Sequence, residues 1–448
     1  MESTMLKNID TVKNKGIKLE TILKDRLILL EKYKTYNSVV AYNETELLSQ
    51  AMKIDGKIQA GKSVGKLCGA IITIKDNLDV KGLPSTGGIE KFKNSIASED
   101  CSVVKNLKSE DAIILGKTNM PAAAMDMQTF NAIYGRTNHP DFPEYTCGGS
   151  SGGGATSIKL GISDADIGND FMGSIRVPAH FCGIYGMIGT DKVIPLENIV
   201  GGKPYGSTMS NILRIGIQAK TLEDIDFLFN VLANKSMLFP STYSNNPIKI
   251  IYTENSSGLP LSEDYRYVYT EYINKLKRNF QVKKINQDEF DFSKARDCFL
   301  KLIYGNMSIS LPPIIRFLLK WKMSSKLRDF LLSEEVREKC IMQLDSLFDN
   351  YDILISPVTV TPAFKHKLPI KTRGYQVIYD DMLVDGKKVS YATANMGYTT
   401  PFSLTSSPVI VIPIGKSKEG LPIGVQIVGR RFHDLDLKKI VTVLDQNI

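Results

Sequence analysis

Cys147–Thr190, CGGSSGGGATSIKLGISDADIGNDFMGSIRVPAHFCGIYGMIGT, constrains this chain more than any other segment. Its glycines crowd around two serines, Ser150 and Ser174. Residues without side chains at this density serve a backbone that must pass close to a second segment or a ligand. Upstream, Lys75 stands in the mostly apolar run GAIITIKDNLDVKGLPSTGG. Serine, serine and lysine together need no histidine, and the chain has only four. That set points to acyl transfer at an amide or ester carbonyl.

Strand and helix patterns alternate around this segment. Residues 5–55 are charged and periodic and predict two helices. LCGAIITIKDN and AIILGKTN predict buried strands, with a helix over Asp100–Lys108 between them. Ser150–Leu160 predicts a small-residue helix, and 162–170 lead back to a strand. Thr221–Leu232 and Tyr265–Asn279 predict helices, and Lys249–Tyr252 a short strand. YDILISP, SPVIVIPIG and PIGVQIVG predict three more strands. This alternation implies a layered α/β fold with a mixed central β-sheet between helical layers. LPPIIRFLLKWKM, residues 311–323, carries the only tryptophan, Trp321, and reads either as a surface helix or as a lid, oligomer contact or membrane-surface patch.

Composition excludes several function classes. No apolar run approaches the ~20 residues of a membrane-spanning helix. The first residues lack the apolar core of a secretory signal, so the expected location is the cytoplasm. The six cysteines are scattered without CxxC spacing and read as free buried thiols. The net charge of +8 comes from 56 basic residues mixed among 48 acidic ones, so no nucleic-acid partner is expected. No metal or organic cofactor is implied, because His139, His180, His366 and His433 are dispersed.

Each candidate also has an ordinary structural role. Lys75 alone could be a strand-end lysine paired with Asp76. The glycines around Ser150 could form an anion-binding turn, although no GK[ST] follows to make a nucleotide loop. Ser174 alone could be a turn serine. As chemistry, the set requires a neutral lysine, and burial in an apolar strand would lower its pKa toward that state.

Taken together, IKDNLDVKGLPSTGG, GKTNMP, QTFNAIYGRTNHP, CGGSSGGG, GSIRVPAHFCGIYG, KTLEDIDFL, DILISPVTVTPAF and GLPIGVQIVGRRFHD resemble the amidase signature family over nearly the whole chain. The resemblance implies one amidase-signature domain over 1–448. Within it, 1–60 would be N-terminal helices, 61–235 the signature core, 236–350 a helical insertion or lid, and 351–448 C-terminal strands and pocket wall. It implies Lys75 as base, Ser150 as relay on a cis peptide, and Ser174 as nucleophile. Ser151, Asp170 and Arg176 would support the site, Ser151 by hydrogen bonding. The backbone N–H groups of Phe171, Met172, Gly173 and Ser174 would form the oxyanion hole. Met127, Phe171, Tyr379, Tyr398 and Phe402 are candidate pocket walls, with Thr399 beside them. The implied partner is a small-molecule amide, with a homodimer as the implied assembly.

The chain also departs from the family pattern. The family run G-[ST]-D-x-G-G-S becomes Gly168-Asn169-Asp170-Phe171-Met172-Gly173-Ser174, with Met172 at a glycine position. Either the loop keeps its shape around Met172 and the pocket narrows, or the oxyanion hole distorts and hydrolysis weakens. Ala122 stands where the family has glutamate. The expected activity is hydrolysis of a carboxamide, or an ester, through an acyl-serine. Two alternatives stay open. One is the glutaminase-type component of a tRNA-dependent amidotransferase. The other is a non-catalytic binding protein of the same fold.

Overall fold

The computed structural model describes residues 3–196, 212–243, 247–254, 258–310, 327–373 and 376–446; the 311–323 stretch lies outside them. Runs that are apolar on both faces become interior strands, since a strand covered by helices on each side has no solvent face to keep polar. Ile71–Lys75 and Ile113–Thr118 follow this rule and are buried at every position.

Among the described residues, eleven strands form one sheet. They are β1 (Val39–Ala41), β2 (Ile71–Lys75), β3 (Ile113–Thr118), β4 (Ala165–Asp170), β5 (Tyr185–Ile188), β6 (Arg214–Ala219), β7 (Lys249–Tyr252), β8 (Gln281–Lys284), β9 (Ile353–Pro357), β10 (Val409–Lys416) and β11 (Pro422–Val428). Their spatial order is β1-β3-β2-β4-β6-β5-β10-β11-β9-β7-β8. β3, β2 and β4 run parallel, with Ile74 opposite Ile167. The strands from β4 through β6, β5, β10 and β11 to β9 pair antiparallel. β9, β7 and β8 are parallel again. The mixed sheet between helices agrees with the expected fold class.

The N-terminal region differs from expectation. It holds three helices, α1 (Thr4–Asn14), α2 (Leu19–Lys32) and α3 (Glu44–Gln59), rather than two. The first break falls at Gly16, whose φ of +72° is left-handed and ends a helix without steric cost. After α2 the chain turns back and adds β1 to the sheet edge beside β3. Helix α4 (Ser102–Ser109) then returns the chain from β2 to β3.

The signature segment supplies α5 (Gly152–Lys159) and α6 (Arg176–Cys182), which flank β4 in sequence. The sequence pattern does not announce β5 and β6. Both are short and contain glycine, Gly186 and Gly216, and their strand conformation is set by the partners on either side. Helix α7 (Leu222–Leu232) begins with the Thr221 side chain accepting the Asp224 N–H. The 236–350 region gives helices α8 (Glu263–Asn279), α9 (Phe292–Ser310) and α10 (Leu327–Leu347). It is more than a helical insertion, because β7 and β8 belong to the main sheet. The C-terminal part adds α11 (Tyr391–Met396), α12 (Thr400–Leu404) and α13 (Asp434–Asp445).

Lys75 ends β2 and Asp170 ends its parallel neighbour β4. Loops leaving the carboxyl ends of parallel strands are where α/β sheets build sites. No described helix is long and apolar enough to cross a membrane.

Candidate active site

The β2 run carries Lys75 into the interior, and all of its contacts are internal. Its Nζ lies 2.7 Å from Ser150 Oγ, 3.0 Å from Asn169 Oδ1 and 3.3 Å from the Asn169 carbonyl. Burial lowers the Lys75 pKa to about 7, against an upward pull from Asp170 and Asp166. A lysine at that value populates its neutral, proton-accepting form near neutral pH.

Ser150 follows a cis Gly149–Ser150 peptide. The Ser151 N–H donates to the Ser174 carbonyl at 3.1 Å, which holds the Ser174 loop against the Ser150–Ser151 turn. Of the three serines only Ser174 keeps any exposure, 4% against 0% for Ser150 and Ser151. Ser174 is therefore the one an outside molecule reaches first. The Ser151 side chain has no hydrogen-bond partner among the described residues, and its contact with the site runs through its backbone.

Asp170 and Arg176 form a buried pair at 2.9 Å. Burial pushes the Asp170 carboxyl up, but the Arg176 guanidinium and backbone donors outweigh it and hold the group far below the usual carboxylate range. Asp170 also accepts the N–H groups of Gly173 at 2.8 Å and Ile175 at 3.0 Å. Arg176 reaches onward to the Thr399 carbonyl, Ser403 Oγ and Gln426 Oε1. The pair thus clamps the 171–175 loop to the C-terminal helices.

This clamp changes the expected oxyanion hole. The Gly173 N–H is taken by Asp170 Oδ1, so Gly173 is not a free donor. No described residue accepts the N–H of Phe171, Met172 or Ser174. Gly173 has φ +120°, a region that resists side chains, and a Cβ there would lie 2.9 Å from Thr399 Oγ1. Met172 is not among the residues with positive φ. Its side chain therefore does not strain the loop, and it packs against the apolar interior. Thr399 Oγ1 donates to the Met172 carbonyl and fixes the loop from the other side.

The candidate wall residues separate into two groups. Met127 lies beside the Ser150 turn, its carbonyl carbon 2.9 Å from where a Cβ on Gly149 would stand. Tyr379 donates to buried Asp126, next to Met127. The Phe171 ring sits 5.6 Å from Phe299 of α9. Tyr398 and Phe402, by contrast, are packed inside with no exposure. The Tyr398 hydroxyl donates to the Leu259 carbonyl at 3.1 Å, and Phe402 meets Phe292 at 6.1 Å. Their apolar bulk completes the core rather than an open wall.

His180 is structural. Burial lowers its pKa to about 4, and its Nδ1 accepts the Gly424 N–H at 2.7 Å. Sequence reasoning misses Asn169 and Asp166. Asn169 is visible as a departure from the family's serine or threonine, whereas its neighbour Asp166 reads only as strand.

Comparison with known proteins bears on the family and the fold. One of the glutamyl-tRNA(Gln) amidotransferase subunits of Archaeoglobus fulgidus, the one designated A, is 26% identical over 424 residues, 86% of this chain and 87% of that protein. A crystal structure of an amidase superposes with TM-score 0.83 at 22% identity, covering 99% of both chains. A bacterial aryl acylamidase of the amidase signature family gives TM-score 0.82 at 20% identity, covering 99% of this chain and 96% of that one. The sequence model described as Amidase matches residues 28–308 and 308–437, and on that match the chain belongs to the amidase family, enzymes that act on amide carbon–nitrogen bonds.

Proposed function

We propose that this protein hydrolyses a small or medium carboxamide through an acyl-serine on Ser174, with Ser150 as proton relay and Lys75 as base. The single observation that carries the reading is the 2.7 Å contact between Lys75 Nζ and Ser150 Oγ, with Lys75 lowered to about 7. In the first half-reaction neutral Lys75 takes the Ser150 proton as Ser150 takes that of Ser174. Ser174 Oγ bonds to the carbonyl carbon, and the relay then delivers a proton to the leaving amine as the carbon–nitrogen bond breaks. In the second half water attacks the ester carbonyl by the same relay, the acid leaves, and Ser174 regains its proton. The N–H groups of Phe171, Met172 and Ser174 are the proposed oxyanion donors. Asp170 and Arg176 hold the loop that carries them. Met127, Phe171 and Tyr379 are the proposed wall of the substrate pocket. The amide substrate is the only partner this reading needs, and free buried thiols favour a reducing, cytoplasmic setting.

Fluorophosphonate labelling of wild type and Ser174→Ala, read by intact mass, tests this. One adduct on wild type and none on the variant is expected. Equal labelling of the two overturns the assignment. The relative from Archaeoglobus fulgidus favours a second reading, the glutaminase-type component of an amidotransferase. Stable co-purification of a second amidotransferase component would favour it.

A further inference from the structure

β2, β3 and β4 carry every second side chain onto the face that α5 covers. Asp166 stands on that face of β4, two positions before Gly168 and four before Asp170. It is fully buried. Oδ1 accepts from Thr118 Oγ1 at 3.0 Å, Oδ2 has no hydrogen-bond partner of good geometry among the described residues, and Thr73 stands opposite on β2. On its far side lies Gly154 of α5, where a Cβ would stand 2.2 Å from Asp166 Cγ and Oδ2. The carboxyl is thus wedged between the strand pair bearing Lys75 and the helix that follows Ser150 and Ser151, out of contact with bulk solvent.

The charges facing Lys75 can be counted element by element. From β3 come Thr118, which is neutral, and Lys117, whose Nζ is turned to the Asp76 and Pro84 carbonyls at 3.0 and 3.1 Å. The α5 turn offers Ser150 and Ser151. The following loop and α6 offer Ser174 and Arg176. β6 contributes Arg214, bonded to the Gly189, Ser407 and Phe402 carbonyls. β4 contributes neutral Asn169 together with Asp170 and Asp166. Asp170 is already matched by Arg176 at 2.9 Å. Asp166 forms no ion pair among the described residues; in the parallel register it stands opposite Thr73 of β2, two positions before Lys75 on the same face, and Lys75 is the cation that acts on it.

We propose that Asp166 is a positioning residue for Lys75, its buried carboxylate deciding how strongly Lys75 holds the proton it receives from Ser150. This inference rests on the reading of Lys75 as base and Ser174 as nucleophile. The direction follows from charge. An anion nearby favours the ammonium form, so it opposes burial and keeps Lys75 a strong enough base to draw the relay proton. Burial raises the Asp166 pKa to about 7, and the hydrogen bonds from its neighbours and the Lys75 cation pull the other way.

The test is the rate of fluorophosphonate labelling against pH for full-length wild type, Asp166→Asn and Asp166→Ala. Wild type should label with an acid limb near 7, where Lys75 loses its proton. In both variants the limb should move down by about one pH unit, and the alkaline plateau should fall, because a lysine without its anion is a weaker base. Two neutral replacements of different size separate charge from shape. Folded variants that label more slowly at every pH, with the limb unmoved, would overturn the proposal and leave Asp166 a packing residue. If wild type itself takes no label, the reading of Ser174 falls, and this inference falls with it.

Discussion

Lys75 Nζ and Ser150 Oγ meet at 2.7 Å in a place where neither residue has any exposure. A lysine there has no solvent shell to stabilise its charge, and Ser150 is the hydroxyl it faces. Lys75→Met keeps the apolar stem in the core but removes the base. Labelling of Ser174 should drop about 10²–10⁴-fold, with the thermal unfolding transition retained. Undiminished labelling in a folded Lys75→Met protein would show that another group activates Ser174.

The pH dependence follows from the same contact. Only neutral Lys75 accepts a proton, and its pKa lies at about 7. Activity should rise with pH through that value and then level off. Single-turnover labelling from about pH 5 to about pH 9 measures it. A limb near the ordinary lysine value would mean that burial does not act as described.

Asp170 and Arg176 are both fully buried, and each leaves an uncompensated charge if the other goes. Asp170→Asn should destabilise the protein by ~3–5 kcal/mol and release the 171–175 loop, with activity lost as well. The sign of the pH effect is fixed. The folded-state pKa of Asp170 is depressed, so its stabilisation is complete above the unfolded carboxylate value of about 4 and fades as pH falls toward the folded one. Acid titration of chemical unfolding should therefore show a shallower loss in Asp170→Asn than in wild type.

Met172 and Gly173 make separate predictions. Gly173→Ala places a Cβ at φ +120° beside Thr399 and should cost ~1–3 kcal/mol and slow labelling. Met172→Gly restores the family's residue where the backbone has no positive φ to relieve. It should lose packing, lowering stability by ~1–3 kcal/mol, while labelling changes less than about tenfold. A larger gain in rate would show that the methionine holds the loop away from its working shape.

Much of this is legible without any coordinates. The continuous apolar run before Lys75 announces a strand buried on both faces, and the glycines after Ser150 announce a helix pressed against the sheet. Gly154 against Asp166 is that contact. Spacing can also nominate Lys75, Ser150 and Ser174 as a set. Spacing cannot show that β5 and β6 are strands, because short glycine-containing segments take their conformation from neighbours distant in the chain. Nor can it separate Met127, which packs beside the Ser150 turn, from Tyr398 and Phe402, which pack elsewhere in the core. All three are apolar or aromatic and buried, and only the fold shows which of them lies near Ser150.

Sequence by itself determined which residues could carry the chemistry, since side-chain type is local information. The tertiary structure decided what those residues can do. Lys75 is a candidate base because β2 is sealed by strands and helix on every side, and burial lowers its hold on a proton. The Gly173 N–H belongs to Asp170 because the loop after β4 curls back on its own strand end. Asp166 bears on Lys75 because neighbouring parallel strands set it opposite Thr73, two positions before Lys75 on the same face and ninety-three positions away in the chain. Electrostatic environment is a property of three-dimensional neighbours, and no linear pattern contains it.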